Sequence, residues 1–287
     1  VWYEGADAGA LRRFPALLEG AAPGPVRRLP SEGTEREGGV QVGEVRLLLP
    51  EPQAGWAVWL ADVYQRLSDR FGPRYWWPSA LAPAPAKAEP FEMIAGAILV
   101  QNVAWTNAEK AVRALAEAGL LDVAALHAAP VDAVEPLIRP AAYFRQKARR
   151  LKEFAAHVAE RHGGDLAAML RQPLSDLRAE LLALRGIGPE TADCILCYAA
   201  GLSVMAMDAY TRRIFARVGL FAPGVSYAEM QAFFHAHLPE EADLRGEFHA
   251  LVDALGSRVC RKRAPGCREC PLQDLCGRVG VDADADS

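Results

Sequence analysis

Four cysteines near the C-terminal end, Cys260, Cys267, Cys270 and Cys276, constrain the fold more than any other feature of this chain. They lie in RVCRKRAPGCRECPLQDLCGR with the spacing C-x6-C-x2-C-x5-C, threaded by Pro265, Gly266 and Pro271. Thiolates this close in sequence can converge on one metal centre, and a set of four suits either zinc or an iron–sulfur cluster. Structural zinc sites usually pair two short C-x-x-C-type knuckles, and this run holds one. A disulfide framework is the third alternative and belongs to an oxidising compartment.

The rest of the chain bears on that choice. Only Cys194 and Cys197 lie outside the run, in TADCILCYAAG, where one helical turn separates them and a buried core role is expected. The first residues, VWYEGADAGALRRFPALL, lack the basic-then-apolar order of a secretory signal. Although 51 % of the residues are apolar, no run approaches the roughly 18 consecutive apolar residues of a membrane span. We therefore expect a cytoplasmic protein with no membrane partner.

The net charge of −4 does not by itself suggest nucleic acid, but phosphate binding depends on where cations are placed. Two cationic stretches stand out: RVCRKR with Arg268, and FRQKARRLKEF at 144–154. In the second, Phe144, Ala148, Leu151, Ala155 and Val158 follow helical spacing, while Arg145, Arg149 and Lys152 point elsewhere. That arrangement reads as a solvated helix face.

Almost every periodic segment has the helical period. Trp56, Trp59, Leu60, Val63, Tyr64 and Leu67 form one stripe, and Phe91, Ile94, Ala95, Ile98 and Leu99 the next. A helix is expected from Asn107, as its N-cap, to a stop at Gly119, and others over 144–161, 175–184, 190–200, 209–218, 226–237 and 241–259. Ser226 and Glu229 form a capping box. With no alternating strand pattern after residue 55, the chain reads as all-α, and 287 residues allow two modest domains. Residues 1–53 form an appendage of unassigned role with one extended-looking run, VQVGEVRLLLP. Ala82–Pro90 reads as a connector, and the VDADADS tail as disordered.

The segment LLALRGIGPETADCILCYAAG is the second strong signal. A helix ends at Leu184–Arg185, Gly186-Ile187-Gly188 turns the chain, and Pro189 opens the next helix. Two glycines let backbone N–H groups approach a phosphate, and Ile187 can anchor the turn. Such a hairpin grips a nucleic-acid backbone without reading its sequence. About twenty residues on, VMAMDAYTRRIFARVGL places Asp208 after an apolar run and before a helix, which alone would make it a plain N-cap.

Hairpin, aspartate and cysteine run, in that order, resemble the HhH-GPD superfamily of base-excision DNA glycosylases, over about residues 56–280. The 6-2-5 cysteine spacing resembles the cluster loop of its endonuclease III group, which favours a [4Fe-4S] cluster over zinc. The resemblance implies two helical domains with a DNA-binding cleft between them. One is a six-helix domain over 91–204 with the helix-hairpin-helix at about 181–200. The other combines 54–90 with 205–287 and carries the cluster loop, 260–276. It also implies that Asp208 is the catalytic carboxylate facing a nucleotide flipped out of damaged double-stranded DNA. Gln101 would wedge into the gap, beside Asn102, and Gly186, Ile187, Gly188 and Thr191 would meet the strand.

Lesion class and reaction type follow from details. Bifunctional members carry a catalytic lysine two residues after the second hairpin glycine, where this chain has Glu190. A carboxylate cannot form the Schiff base that strand cleavage requires, so a monofunctional enzyme is expected, with Glu190 either assisting water or balancing the helix dipole. RYWWPSA and FEMIAGAILVQNVAWTNAEKAV, with RPAAYFRQKARRL, are similar to the 3-methyladenine glycosylase (MagIII-type) branch. That similarity implies a base pocket lined by Trp76, Trp77, Pro78 and Trp105. Electron-rich rings would favour a cationic alkylated purine by about 0.5–2 kcal/mol, although packing in a core would also explain the tryptophans. The alternatives are an endonuclease III-type enzyme for pyrimidine lesions and a non-catalytic binder of distorted DNA. A monomer, associated with the bacterial nucleoid when on DNA, is expected.

Overall fold

The computed structural model describes residues 41–42, 45–49, 51–52, 55–222 and 224–281. The appendage expected over 1–53 falls mostly outside these residues, and the tail expected to be disordered lies outside them from Asp282 onward. The protein is helical. Two short antiparallel strands, β1 (Gln41–Val42) and β2 (Val45–Arg46), are the ordered part of the VQVGEVRLLLP run, with Val42 opposite Val45. Leu47 follows them, buried, and forms a bridge with Phe221. Helix α1 (Gly55–Phe71) buries the whole stripe read from the sequence, Trp56 through Leu67, and stops at Gly72, whose φ of +68° suits glycine.

The chain forms two compact units, one comprising Tyr75–Ala206 and the other the segments on either side of it. In the Tyr75–Ala206 unit, α2 (Pro90–Leu99) is buried all round, as an apolar helix without a polar face must be. The next helix, α3, runs Trp105–Glu117. Its N-cap is Ala104, in extended conformation, so Asn107 lies inside the first turn instead of capping it. Then come α4 (Val123–Ala128), α5 (Val131–Val134), α6 (Phe144–His162), α7 (Leu166–Leu170), α8 (Leu174–Ala183) and α9 (Pro189–Cys194). The helix expected over 190–200 is not uniform: after Cys194 it widens into a π-turn over Ile195–Ala199, where Ala200 N–H donates to Ile195 O at 3.0 Å. Cys194 and Cys197 are buried, as expected.

The basic face of α6 departs from the sequence reading. Arg145 and Arg149 are exposed, but Lys152 donates to the carbonyls of Leu126, His127 and Ala129 and so caps α4. The last carbonyls of a helix lack N–H donors, which explains why a cation sits there.

Three helices close the other unit: α10 (Ala209–Val218), α11 (Tyr227–His237), which begins with the expected Ser226–Glu229 capping box, and α12 (Ala242–Arg258). Their core is aromatic. Phe215 stacks edge-on against Phe234 at 4.9 Å, and Trp56 against Phe233 at 5.4 Å. Packing of α10 on α12 within this core fixes the start of α10, where Asp208 stands. Residues 75–90, which the sequence grouped with the C-terminal helices, cluster instead with α2 and α3. Glu92 of α2 accepts from Ser79 Oγ (2.9 Å) and Ala80 N–H (2.5 Å), and Trp77 packs on Trp105.

Candidate active site

The hairpin begins where Leu184 turns extended and ends α8. Gly186 adopts φ +83°, a left-handed conformation that side chains resist. A Cβ there would also lie 2.1 Å from Arg150 Nε, so any other residue would have to displace the Arg150 side chain as well. Gly188 is different: its φ is −91°, and a Cβ would meet nothing within 4 Å. Ile187 between them is 5 % exposed and anchors the turn. Asp193, fully buried, accepts from Arg178 at 2.7 Å and 3.3 Å, bracing α8 against α9. Glu190 is exposed in the first turn of α9, as a carboxylate favoured by the helix dipole would be.

Gln101 is tied to this hairpin. Its Nε2 donates to Gly186 O at 3.1 Å and to Thr191 Oγ1 at 2.9 Å, and its Oε1 accepts from Arg150 Nη1. Lys147 holds the same loop from below, donating to the carbonyls of Leu99, Gln101 and Ala141 at 2.6–2.8 Å. Burial, and then the Arg150 charge, draw its pKa down to about 8. Asn102, exposed at φ +59°, and Tyr143, 65 % exposed at φ +45°, border one polar recess with Gln101, Lys147 and Arg150. The sequence pointed to Gln101 and Asn102 but not to Tyr143, Lys147 or Arg150. An aromatic before a cationic helix carries no local sign that its backbone will turn left-handed.

The aromatic residues cluster as one group. Trp76 and Trp77 lie 5.4 Å apart, Trp77 meets Trp105 edge-on at 5.5 Å, and Tyr198 contacts both Trp76 (6.0 Å) and Trp77 (5.8 Å). Trp77 is only 7 % exposed and belongs to the core, whereas Trp76, Pro78, Trp105 and Tyr198 keep part of their surface open. Gly96 makes room for the group, since a Cβ there would come within 3.1 Å of Trp77 Nε1. Tyr198 was not read from the sequence; it sits on the π-turn after α9, a local widening that no helical pattern announces.

Asp208 is indeed the N-cap of α10, and it is more than that. Its Oδ1 accepts from Thr211 N–H at 2.6 Å and from the Thr211 hydroxyl at 2.7 Å, while Oδ2 lies 3.7 Å from His249 Nε2 on α12. Burial would raise its pKa, but the nearby His249 and the two hydrogen bonds from Thr211 outweigh it and hold the carboxyl below the usual range. Asp253, one turn beyond His249, moves the other way, to about 6, pushed first by burial and then by the Asp208 charge. The pKa values of two neighbouring carboxyls are thus driven apart, and Asp208 is the more acidic of the pair.

The four cysteines of the C-terminal loop, none of them in a disulfide, line one recess with Val259, Leu272 and Arg217. Burial pushes Cys270 up to about 12, with the other three sulfurs adding to the effect. Arg217 Nη1 donates to Cys260 Sγ at 3.3 Å and Arg278 N–H to Cys276 Sγ at 3.4 Å, contacts suited to stabilising thiolates. Four sulfur donors on one loop suit a tetrathiolate-bound group, zinc or an iron–sulfur cluster. Arg258, Arg261, Lys262, Arg263 and Arg268 stand exposed around it.

Comparison with known proteins agrees with this architecture. Residues 95–240 match the family model of the HhH-GPD superfamily base excision DNA repair proteins. A Methanocaldococcus jannaschii protein provisionally described as a DNA repair glycosylase is 36 % identical over 75 % of this chain and 94 % of its own. Endonuclease III of Thermotoga maritima is 30 % identical over 66 % of this chain and 84 % of its own. The crystal structure of Helicobacter pylori 3-methyladenine DNA glycosylase (MagIII) bound to 1,N6-ethenoadenine shares the fold. Its TM-score is 0.57 at 24 % identity, covering 69 % of this chain and 96 % of that one. No helix among the described residues is long and apolar enough to cross a membrane. Hairpin, buried aspartate and family match converge on one conclusion: the chain belongs to the HhH-GPD superfamily of base excision DNA repair proteins, as a DNA glycosylase.

Proposed function

We propose that this glycosylase is monofunctional and hydrolyses the N-glycosidic bond of alkylated purines such as 3-methyladenine in damaged double-stranded DNA. The observation that carries the reading is Asp208, a carboxylate kept anionic by His249 and Thr211 with one oxygen fixed and the other turned away from the cap. The C1′–N bond breaks with its electron pair leaving on the base, which for a cationic alkylpurine departs neutral. Asp208 stabilises the positive sugar and accepts a proton from the water whose oxygen bonds to C1′. The open surfaces of Trp76 and Trp105, beside Tyr198, suit a cationic ring. At Glu190 there is no amine for a Schiff base, which supports release of the base without strand cleavage.

Gly188, Ile187, Gly186 and Thr191 would hold the strand, with Gln101 and Asn102 at the gap. Cys260, Cys267, Cys270 and Cys276 would hold a [4Fe-4S] cluster, whose contribution is to cross-link a loop presenting arginines to phosphates. The protein would act as a monomer in the cytoplasm. A panel of duplexes, each with one lesion, scored for released base with and without alkali, tests the proposal. Methylated purines should be released, and strands should break only after alkali. Asp208→Asn should cut release at least about 100-fold while DNA binding persists; unchanged release would remove Asp208 from its role, and efficient borohydride trapping on abasic DNA would contradict the monofunctional assignment. The 30 % identity to an endonuclease III favours one second reading, a pyrimidine-lesion enzyme. Release of oxidised pyrimidines in preference to methylated purines would establish that reading in place of the first.

A further inference from the structure

Within the Tyr75–Ala206 unit, α6 and α8 bring together two histidines and a glutamate. We propose that His157, His162 and Glu180 form a binding site for one zinc-class divalent ion. Among the described residues this is the only set of three or more such side chains whose ligand atoms all lie within 4.8 Å of one another. His157 and His162 come from the last turns of α6, and their rings lie 6.0 Å apart. Both present Nε2 to the same glutamate oxygen: His162 is 2.6 Å from Glu180 Oε1, and His157 is hydrogen-bonded to that atom as well.

The carboxylate is aimed rather than loose. Gln172 Nε2 donates to the second oxygen, Oε2, at 2.7 Å, which turns Oε1 toward the histidines. Outer contacts of this kind orient metal ligands in known sites. Two imidazoles and one carboxylate are also the donor set that three-ligand zinc sites use, leaving the fourth position for water. The side chains are 14–19 % exposed, sheltered yet within reach of an entering ion. Zinc at about 2.1 Å from each ligand sets neighbouring ligand atoms roughly 3.4 Å apart. The two histidine–carboxylate contacts therefore need to open by about 1 Å or less to admit the ion. Each histidine would bind as a neutral ring, its proton carried on Nδ1.

The site would tie the end of α6 to α8, and α8 runs directly into the hairpin. The opposite end of α6 supplies Lys147 and Arg150, which already hold Gln101, and Arg150 also faces Gly186. An ion here would therefore fix the helix pair that supports the hairpin from both of its ends. The alternative is a hydrogen-bonded clasp that never takes a metal.

The test uses the full chain purified with its cysteine loop loaded, titrated with Zn2+ alone. One equivalent should bind, the thermal midpoint should rise with free zinc, and the His157 and His162 ring nitrogens should shift in NMR spectra. Glu180→Gln and His157→Gln should each weaken binding at least about tenfold. Zinc X-ray absorption on the unaltered protein gives an answer independent of how the variants fold: a nitrogen–oxygen shell supports the site. A sulfur shell, no bound equivalent, or equal affinity in both folded variants would overturn it.

Discussion

At the scale of single residues, the informative contrast is between two carboxyls of one unit. Asp208 is pulled down and Asp253 up, and the second shift has a sign that can be measured. Its folded pKa is near 6 against an ordinary 3.8, so between these values the folded protein holds a proton that the unfolded chain has lost. Stability from this group is therefore present at low pH and is lost as pH rises through about 4 to 6. Asp253→Asn removes the charged form and should stabilise the protein by about 1–3 kcal/mol at pH 7.5. Near pH 4 it should change little. Urea unfolding of both proteins at the two pH values measures this, and an equal difference at both would refute the assignment. Asp208 itself was legible, because an acid between an apolar run and a helix is a recognisable signal. His249 and Asp253 were not: they reach Asp208 only through packing of α12 on α10, and nothing in GEFHALVDALG announces it.

At the scale of elements, the hairpin was legible in outline and not in its division of labour. The sequence treated Gly186 and Gly188 alike, as small residues that admit a phosphate. The structure separates them: Gly186 is required by its own φ and by the Arg150 side chain, whereas Gly188 borders open space. Gly186→Ala should cost about 1–2 kcal/mol from the left-handed backbone alone, and more if Arg150 must leave Gln101. Gly188→Ala should leave the thermal midpoint within a degree or so while weakening DNA binding. Melting curves and binding isotherms on the two variants compare the roles; matching effects on stability would show that the structural distinction does not matter. Helix lengths explain what else was hidden. α4, α5 and α7 have 6, 4 and 5 residues, too few for a period to register, although Asp122 and Asp165 cap two of them. Lys147 and Lys152 were unreadable for another reason. A lysine on a basic helix looks solvated until the carbonyls it caps are brought in from residues far along the chain.

At the scale of the whole molecule, the cysteine loop shows how a segment without long helices is held to the helix before it. Beyond α12 the described chain has no long helix, and its order rests on contacts back to α10. Arg217 alone donates to Cys260 Sγ and to the carbonyls of Arg261 and Lys262, while Gly277 and Val279 donate to Val218 and Arg217. A group bound by four thiolates would add its binding energy to folding, so removing it would destabilise this unit. Its removal would also release the exposed arginines that the loop displays. Cys270→Ala, at a buried sulfur of the set, should therefore lower the thermal midpoint and weaken DNA binding together, with a shallower dependence on salt as phosphate contacts are lost. Single-turnover base release at saturating enzyme should change by less than about threefold, because Asp208 gains its charge and orientation from Thr211 and His249, not from the loop. Midpoint, salt slope and single-turnover rate can be measured on one preparation. A rate that collapses while binding stays intact would mean the loop serves the chemistry directly, and the separation between grip and reaction drawn here would fail.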